Sequence, residues 1–316
     1  MAFDLSALSA WTDERADEFF SKSVLAAKTP SLMRVLTGLK GATAIPNLEG
    51  DSDIFRSGSS CGFTAVGDVA IDQRTINPQS VKVNIELCLR DLEAFFTRQL
   101  LPAGQMYEGL GPVEAAILEE VRKRIQRTVE IAVWQSEIGG AGATSLTIFD
   151  GLIEIIQDEI AAATIPAGQQ LSGAVTTGNI IATVEAMRDA LPVDQFDEVT
   201  EESKYIMLMS PQAKQTYERD YRSTFTALPY NMEFNKLFVD GTKIEIIGVP
   251  GLFAAAHSDK ILLVKRESLW LGVDIEGEQS DLMVYMDQDR ENVRIKSRFM
   301  MGTQVNFPEE LVVNNF

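Results

Sequence analysis

The sequence predicts an α+β protein, and three observations predict it. The stretch PVEAAILEEVRKRIQRTVEIAVWQSEI repeats apolar residues at helical spacing. The region after it switches several times between helical and strand patterns. Near residues 74–85 and again at 292–307, apolar and polar residues alternate as in half-buried strands. With 316 residues, 45% of them hydrophobic and 23% charged, the chain has globular composition and enough length for a sizeable core.

Residues 1–46 read as an arm: short helical pieces broken at Pro30, Gly38 and Gly41, with one small apolar face at Phe19, Phe20, Val24 and Leu25. Residues 47–86 read as an extended hairpin with strands at Phe63–Val69 and Arg74–Ile85. In the second strand Val81, Val83, Ile85 and Leu87 alternate with Lys82, Asn84 and Glu86. A two-stranded ribbon is marginal in water, so it is expected to lie on other structure, another subunit included.

The long helix follows, over 112–137. Pro112 suits a first helical position, and Val113, Ile117, Val121, Ile125, Val129 and Ala132 recur every three or four residues. Glu119–Lys123 and Glu120–Arg124 are i,i+4 pairs in the favourable order. Gly139, Gly140 and Gly142 stop it. Beyond them, helices are predicted at Gly151–Ile160, at Asn179–Ala190 with Asn179 as N-cap, and from Ser210–Pro211 through Tyr221. Strands are predicted at Lys204–Met209, Lys243–Val249 and Ile261–Val264, which makes a compact α/β or α+β unit with a central sheet. The tail returns to strand at Asp281–Asp287 and Asn292–Phe307.

No catalytic motif is written in the chain. His257, Ser258 and Asp259 are consecutive, and neighbours on an extended chain point apart, so they build no triad. The stretch GGAGATS follows a helix and lacks the lysine of a phosphate loop. Carboxylate pairs such as Asp158–Glu159 and Asp197–Glu198 are abundant, but abundance alone does not make an acid and a base. One histidine and two cysteines, Cys61 and Cys88, give no zinc spacing and read as free thiols. No cofactor or metal is expected. No run of about 18 apolar residues offers a membrane span, and the first twenty residues lack a secretion signal.

The formal charge is -18, which argues against a protein that grips nucleic acid through a basic surface. Between Ile138 and Glu202, eleven acidic residues face the single Arg188. Against that background Arg294, Lys296 and Arg298 stand at every second position of VRIKSRF. Charges about 7 Å apart on a strand repel by roughly 0.6 kcal/mol in water, so the row is tolerable where solvated.

The order of parts resembles the major capsid proteins of tailed bacteriophages, the Hong Kong 97-type or Johnson fold. The residues that carry the resemblance are the long helix PVEAAILEEVRKRIQRTVEIAVWQSE, then FDGLIEII, KYIMLMSPQAKQTYERDY, KIEIIGVPGLF and the ending VRIKSRFMMGTQVNFPEELVV. It implies an N-terminal arm (1–46) and an E-loop hairpin (47–86) reaching over neighbours. It further implies a peripheral domain (87–145) with spine helix 112–137, an axial domain (146–267) and a return to the peripheral domain (268–316). The function implied is a structural subunit that assembles as hexamers and pentamers into an icosahedral shell around viral double-stranded DNA. An encapsulin-like compartment is the alternative, and an α/β enzyme with an unrecognised acidic site the rival from another class.

The partners implied are other copies of the chain, portal and scaffolding or decoration proteins, and packaged DNA through weak non-specific contact; no membrane is implied. Its place would be the virion capsid, assembled in the host cytoplasm. Because the arm begins almost at Met1, a separate scaffold or none is expected. No lysine lies between Lys40 and Lys82, so no lysine-to-asparagine cross-link through the E-loop is expected. The candidate inter-subunit contacts are Arg74, Arg122, Arg124, Arg127, Arg294, Lys296, Arg298, Glu119, Glu120 and Glu130.

Overall fold

The computed structural model describes residues 27–50, 69–88, 111–192, 204–225, 230–231, 236–274, 283–287 and 292–316. The arm face at Phe19, Phe20, Val24 and Leu25, the proposed strand at 63–68 and the side chains of Val113 and Ile117 lie outside the described residues.

The first of two five-stranded sheets is organised by β13 (Asn292–Val305). Along one edge β4 (Gln79–Cys88) runs antiparallel to it, from Asn292 opposite Cys88 to Met301 opposite Gln79. The other edge is shared: β12 (Met283–Asp287) takes the start of β13 and β11 (Leu269–Val273) its end. β1 (Arg34–Leu36) adds parallel to β11. The alternation read in the sequence sorts this sheet into two faces. Ile295, Phe299, Met301 and Val305 are buried on one, while Lys296 and Arg298 are exposed on the other.

Helix α1 (Gly111–Gln135) covers the apolar face. At roughly 1.5 Å per residue it spans about 38 Å. Val121, Ile125, Val129 and Ala132 are buried at the spacing expected of one stripe, in a common cluster with Ile295, Phe299 and the partly buried Val81, Val83 and Ile85 of β4. The chain leaves the helix through Gly139, whose φ of 77° is in the left-handed region. Helix α2 (Leu152–Ala161) joins the same layer through Leu152, Ile153 and Ile156, and Thr303 Oγ1 of β13 donates to the Asp150 carbonyl at 2.6 Å. α2 thus packs with the first sheet and α1, whereas the sequence reading assigned residues from 146 onward to the axial unit.

The second sheet has the order β5 (Gln170–Leu171), β14 (Val312–Asn314), β10 (Ile261–Lys265), β6 (Tyr205–Met209), β9 (Glu245–Gly248). All five residues of β6 are buried because both of its faces are covered. Tyr205, Met207 and Met209 meet helices α3 (Ile180–Asp189) and α4 (Pro211–Phe225), while Ile206 and Leu208 enter the layer shared with α1 and α2. Ser210 caps α4, its Oγ accepting from the Ala213 N–H at 3.0 Å. Asn179 precedes α3 as expected, but its side chain does not cap the helix; Oδ1 accepts from Thr176 N–H in the preceding turn. A small pair, β7 (Tyr230–Asn231) with β8 (Lys236–Leu237), lies beside this sheet: Leu237 is buried in the same core as α3 and α4, and Phe238 bridges to Glu245 of β9.

Two expectations are corrected. The hairpin is made by β2 (Thr43–Gly50) and β3 (Val69–Ile76), with Thr43 opposite Ile76, and the stretch 74–85 is not one strand. Pro78 supplies no N–H to a ladder, so β3 ends at Ile76 and β4 starts afresh in the first sheet. The tail does not end in the first sheet either: β14 pairs with β10 and β5 and completes the second.

The root of the β2–β3 ribbon rests on its own chain. Ile45 and Ile76 form a third small core with Leu39 and Trp270 on the face of the first sheet away from α1. Gly272 and Gly302, opposite each other on β11 and β13, make room for it. A Cβ at Gly272 would lie 2.6 Å from Leu39 Cδ1, and one at Gly302 would lie 3.0 Å from the Asn77 carbonyl oxygen and the Pro78 Cα. Among the described residues the ribbon covers one end of that face, while Lys296 and Arg298 at its other end are exposed.

Candidate functional site

The exposed end of the face is a patch built across two strands. Register sets Lys82 opposite Arg298, Asn84 opposite Lys296 and Glu86 opposite Arg294. The Arg294 guanidinium donates to Glu86 Oε1 at 3.1 and 3.3 Å. Lys82, Lys296 and Arg298 are exposed and form no ion pair among the described residues. The acidic candidates of the spine, Glu119, Glu120 and Glu130, are on α1 and so on the other side of the sheet. They do not meet it within one chain.

Most spine charges are occupied locally. Glu119 Oε1 accepts from Arg122 at 2.5 Å and lies 3.8 Å from Lys123, and Glu120 Oε1 accepts from Arg124 at 3.1 Å. These are mostly exposed pairs along one helix, of small energetic weight. Arg127 is exposed and unpaired among the described residues. Glu130 leaves the set of inter-subunit candidates, because it is 4% exposed and both carboxylate oxygens are used inside the chain. Oε1 accepts from Thr29 Oγ1 at 2.6 Å and Oε2 from the Thr29 N–H at 2.9 Å. Trp134 Nε1 donates to the same Thr29 oxygen at 2.8 Å. The end of the arm is thereby latched to the helix.

Arg74, near the root of the ribbon, holds Glu159 of α2 in a two-pronged ion pair, its second contact at 3.2 Å. Both side chains are mostly shielded, at 17% and 16% exposure. This geometry fixes the ribbon to the body of its own subunit.

The consecutive His257, Ser258 and Asp259 do not assemble into a triad. Ser258 Oγ lies 3.4 Å from Asp259 Oδ1, and His257 closes a short turn with its Nδ1 buried and unpartnered. Burial, and then the Lys260 charge, lower the His257 pKa. The groove of about 380 Å³ between α1 and β4 is lined by Val81, Val83, Ile85, Ile125, Val129, Phe299 and Met301, with no carboxylate among its lining. A second groove beside α1 holds only the Glu130 carboxylate, already bonded to Thr29. Among the described residues no group of His, Cys, Asp and Glu could hold a metal, and no helix is long and apolar enough to cross a membrane.

By sequence, neither a family model nor a curated protein matches the chain. Solved structures match it by shape along nearly its whole length. A chain of the satellite phage P4 procapsid, a particle that includes the size determination (Sid) protein, superposes with a TM-score of 0.63 at 10% identity, covering 94% of this chain and 89% of that one. A chain of Gordonia phage Cozz gives 0.55 at 16% identity over 91% and 85%. The capsid of the empty GTA particle gives 0.54 at 11% identity over 94% and 90%.

The chain has the fold of phage capsid proteins.

Within this fold several residues are defined by partners far away in sequence. Three that sequence reading missed matter most: Thr29 on the arm, Glu159 on α2 and Lys82 on β4. Lys82 was visible as the polar side of an alternating strand, but its pairing with Arg298 joins residues more than two hundred positions apart. Thr29 carried no pattern, and Glu159 stood out only as half of one abundant carboxylate pair, since the role of each is defined by a distant partner.

Proposed function

We propose that this chain is the major subunit of an icosahedral shell of the Hong Kong 97 type, assembling as hexamers and pentamers around double-stranded DNA. The observation that carries the reading is the capsid fold, matched over 94% of the chain. The β2–β3 ribbon takes the part of the E-loop, α1 that of the spine, the first sheet the peripheral domain and the second sheet the axial domain. Ribbon and arm are rooted on their own subunit by Arg74–Glu159 and Thr29–Glu130.

The net charge of -18 suits a container better than a binder. Each phosphate gripped adds affinity, and packed DNA must leave again. Shell strength then comes from many modest contacts, with apolar burial contributing about 25 cal/mol per Å². Scaffolding, portal and decoration proteins are compatible partners, and assembly belongs in the host cytoplasm. Expression of the full chain, with its scaffold where one is needed, followed by electron microscopy and nuclease-protection of the contents, tests the reading. DNA-filled icosahedral particles support it; closed shells holding a protein cargo favour the encapsulin-like alternative.

A further inference from the structure

The basic face of β4–β13 is a positive surface on a strongly negative protein. Lys82, Lys296 and Arg298 are exposed on it with no ion pair among the described residues. The opposite charge is collected on the other side of the same sheet. There Glu137, Asp150, Glu154 and Asp158 stand close together around α2 and the turn before it. Burial, and then the charges of Glu137, Asp158 and Asp150, hold the Glu154 carboxyl above its usual range. Glu137, Glu154 and Asp158 have no cationic partner among the described residues, and the one cation of the stretch 138–202, Arg188, pairs with Asp189.

α2 packs on the apolar face of the first sheet, and the basic row projects from the opposite face. The two patches therefore cannot neutralise each other in one chain, but they can between two. We propose that the basic face of Lys82, Lys296 and Arg298 docks on the α2 acidic cluster of a second copy, an inference that rests on the shell reading. The two surfaces differ, so the contact is head to tail. Repeated, it closes into a ring when the rotation per step closes and runs open otherwise. Such charge complementarity sets register and speeds encounter, and salt screens it, since the Debye length falls from about 10 Å at 0.1 M to about 3 Å at 1 M.

Charge exchange in the full-length chain tests it. Lys296→Glu with Arg298→Glu, and separately Glu137→Lys with Asp158→Lys, should each slow assembly by about tenfold or more, as loss of electrostatic steering does. The chain carrying all four substitutions, its signs exchanged, should recover. Circular dichroism confirms that each variant is folded. Folded variants that assemble normally, or a four-fold variant that does not recover while wild type forms shells, overturn the docking and leave the shell reading standing. Sedimentation of soluble wild type covers the remaining case. Self-association at low salt that is lost at 1 M salt, without any shell, supports the docking and overturns the shell reading; a strict monomer at low salt overturns the docking.

Discussion

Lys82 stands directly opposite Arg298 across the β4–β13 ladder, two like charges on one exposed face. Like charges so placed destabilise an antiparallel pair, on the scale of about 0.2–1 kcal/mol for cross-strand pairs. Lys82→Glu should therefore raise the stability of the isolated subunit by a few tenths of a kcal/mol while it weakens assembly. Urea unfolding and particle yield, measured on the same preparation, should move in opposite directions. A variant that gains stability and assembles as well as wild type would show that the positive face has no role between subunits.

The latch at Glu130 should be costly to open. Thr29→Ala removes the hydroxyl that donates to the buried carboxylate and accepts from Trp134, and hydrogen bonds to charged groups are worth about 1.5–3 kcal/mol. Unfolding free energy should fall by about 2 kcal/mol. Thr29→Ser, which keeps the oxygen, should recover most of it. Equal losses for both variants would mean that the methyl group, not the hydroxyl, carries the effect.

Arg74 and Glu159 should be coupled. In a double-mutant cycle of Arg74→Ala and Glu159→Gln, a two-pronged pair this shielded should give about 1–2 kcal/mol of coupling, between exposed and buried pairs. Additive effects would place the ribbon root under apolar control alone.

The room made by Gly302 can be tested by filling it. Gly302→Val sets a branched side chain against the Asn77–Pro78 backbone, and overpacking of this kind costs about 1–3 kcal/mol. Faster amide exchange confined to β2, β3 and the start of β4 would locate the strain. Exchange spread evenly over the first sheet would argue against that contact.

Acidity should act through Glu154. Its carboxyl titrates above the ordinary 4.5, so between that value and its folded pKa the folded chain binds the extra proton and stability falls as pH rises. Glu154→Gln should stabilise the subunit at pH 7, and the gain should disappear below about pH 4.5, where the carboxyl is protonated in both states. The measurement is the difference in unfolding free energy between variant and wild type across this range. A constant difference would trace the effect to packing.

The long helix, the glycine stop and the alternation of β13 were legible because each is a local period enforced by one buried face. The end of β6 and the start of α4 followed from an apolar run, Ser210 and Pro211, whereas the helix continues to Phe225, past the expected end at Tyr221. What was not legible depended on partners. Val81–Leu87 alternates equally well beside β3 or β13, and only Pro78 hinted that the strand would change sheets. Lys296 and Arg298 of the basic row are exposed, yet Glu119, Glu120 and Glu130 lie behind the sheet, because a pattern along one strand does not tell which helix covers which face. Glu130 looked like any other spine carboxylate until the arm was seen folded back on it.

Electron microscopy of the purified full-length protein tests the central claim most directly. Closed icosahedral shells built of hexamers and pentamers are expected, with the long helix and the two sheets recognisable in each subunit. A protein that stays monomeric at every concentration and salt, with and without a scaffold, and never forms rings, tubes or shells, would contradict it.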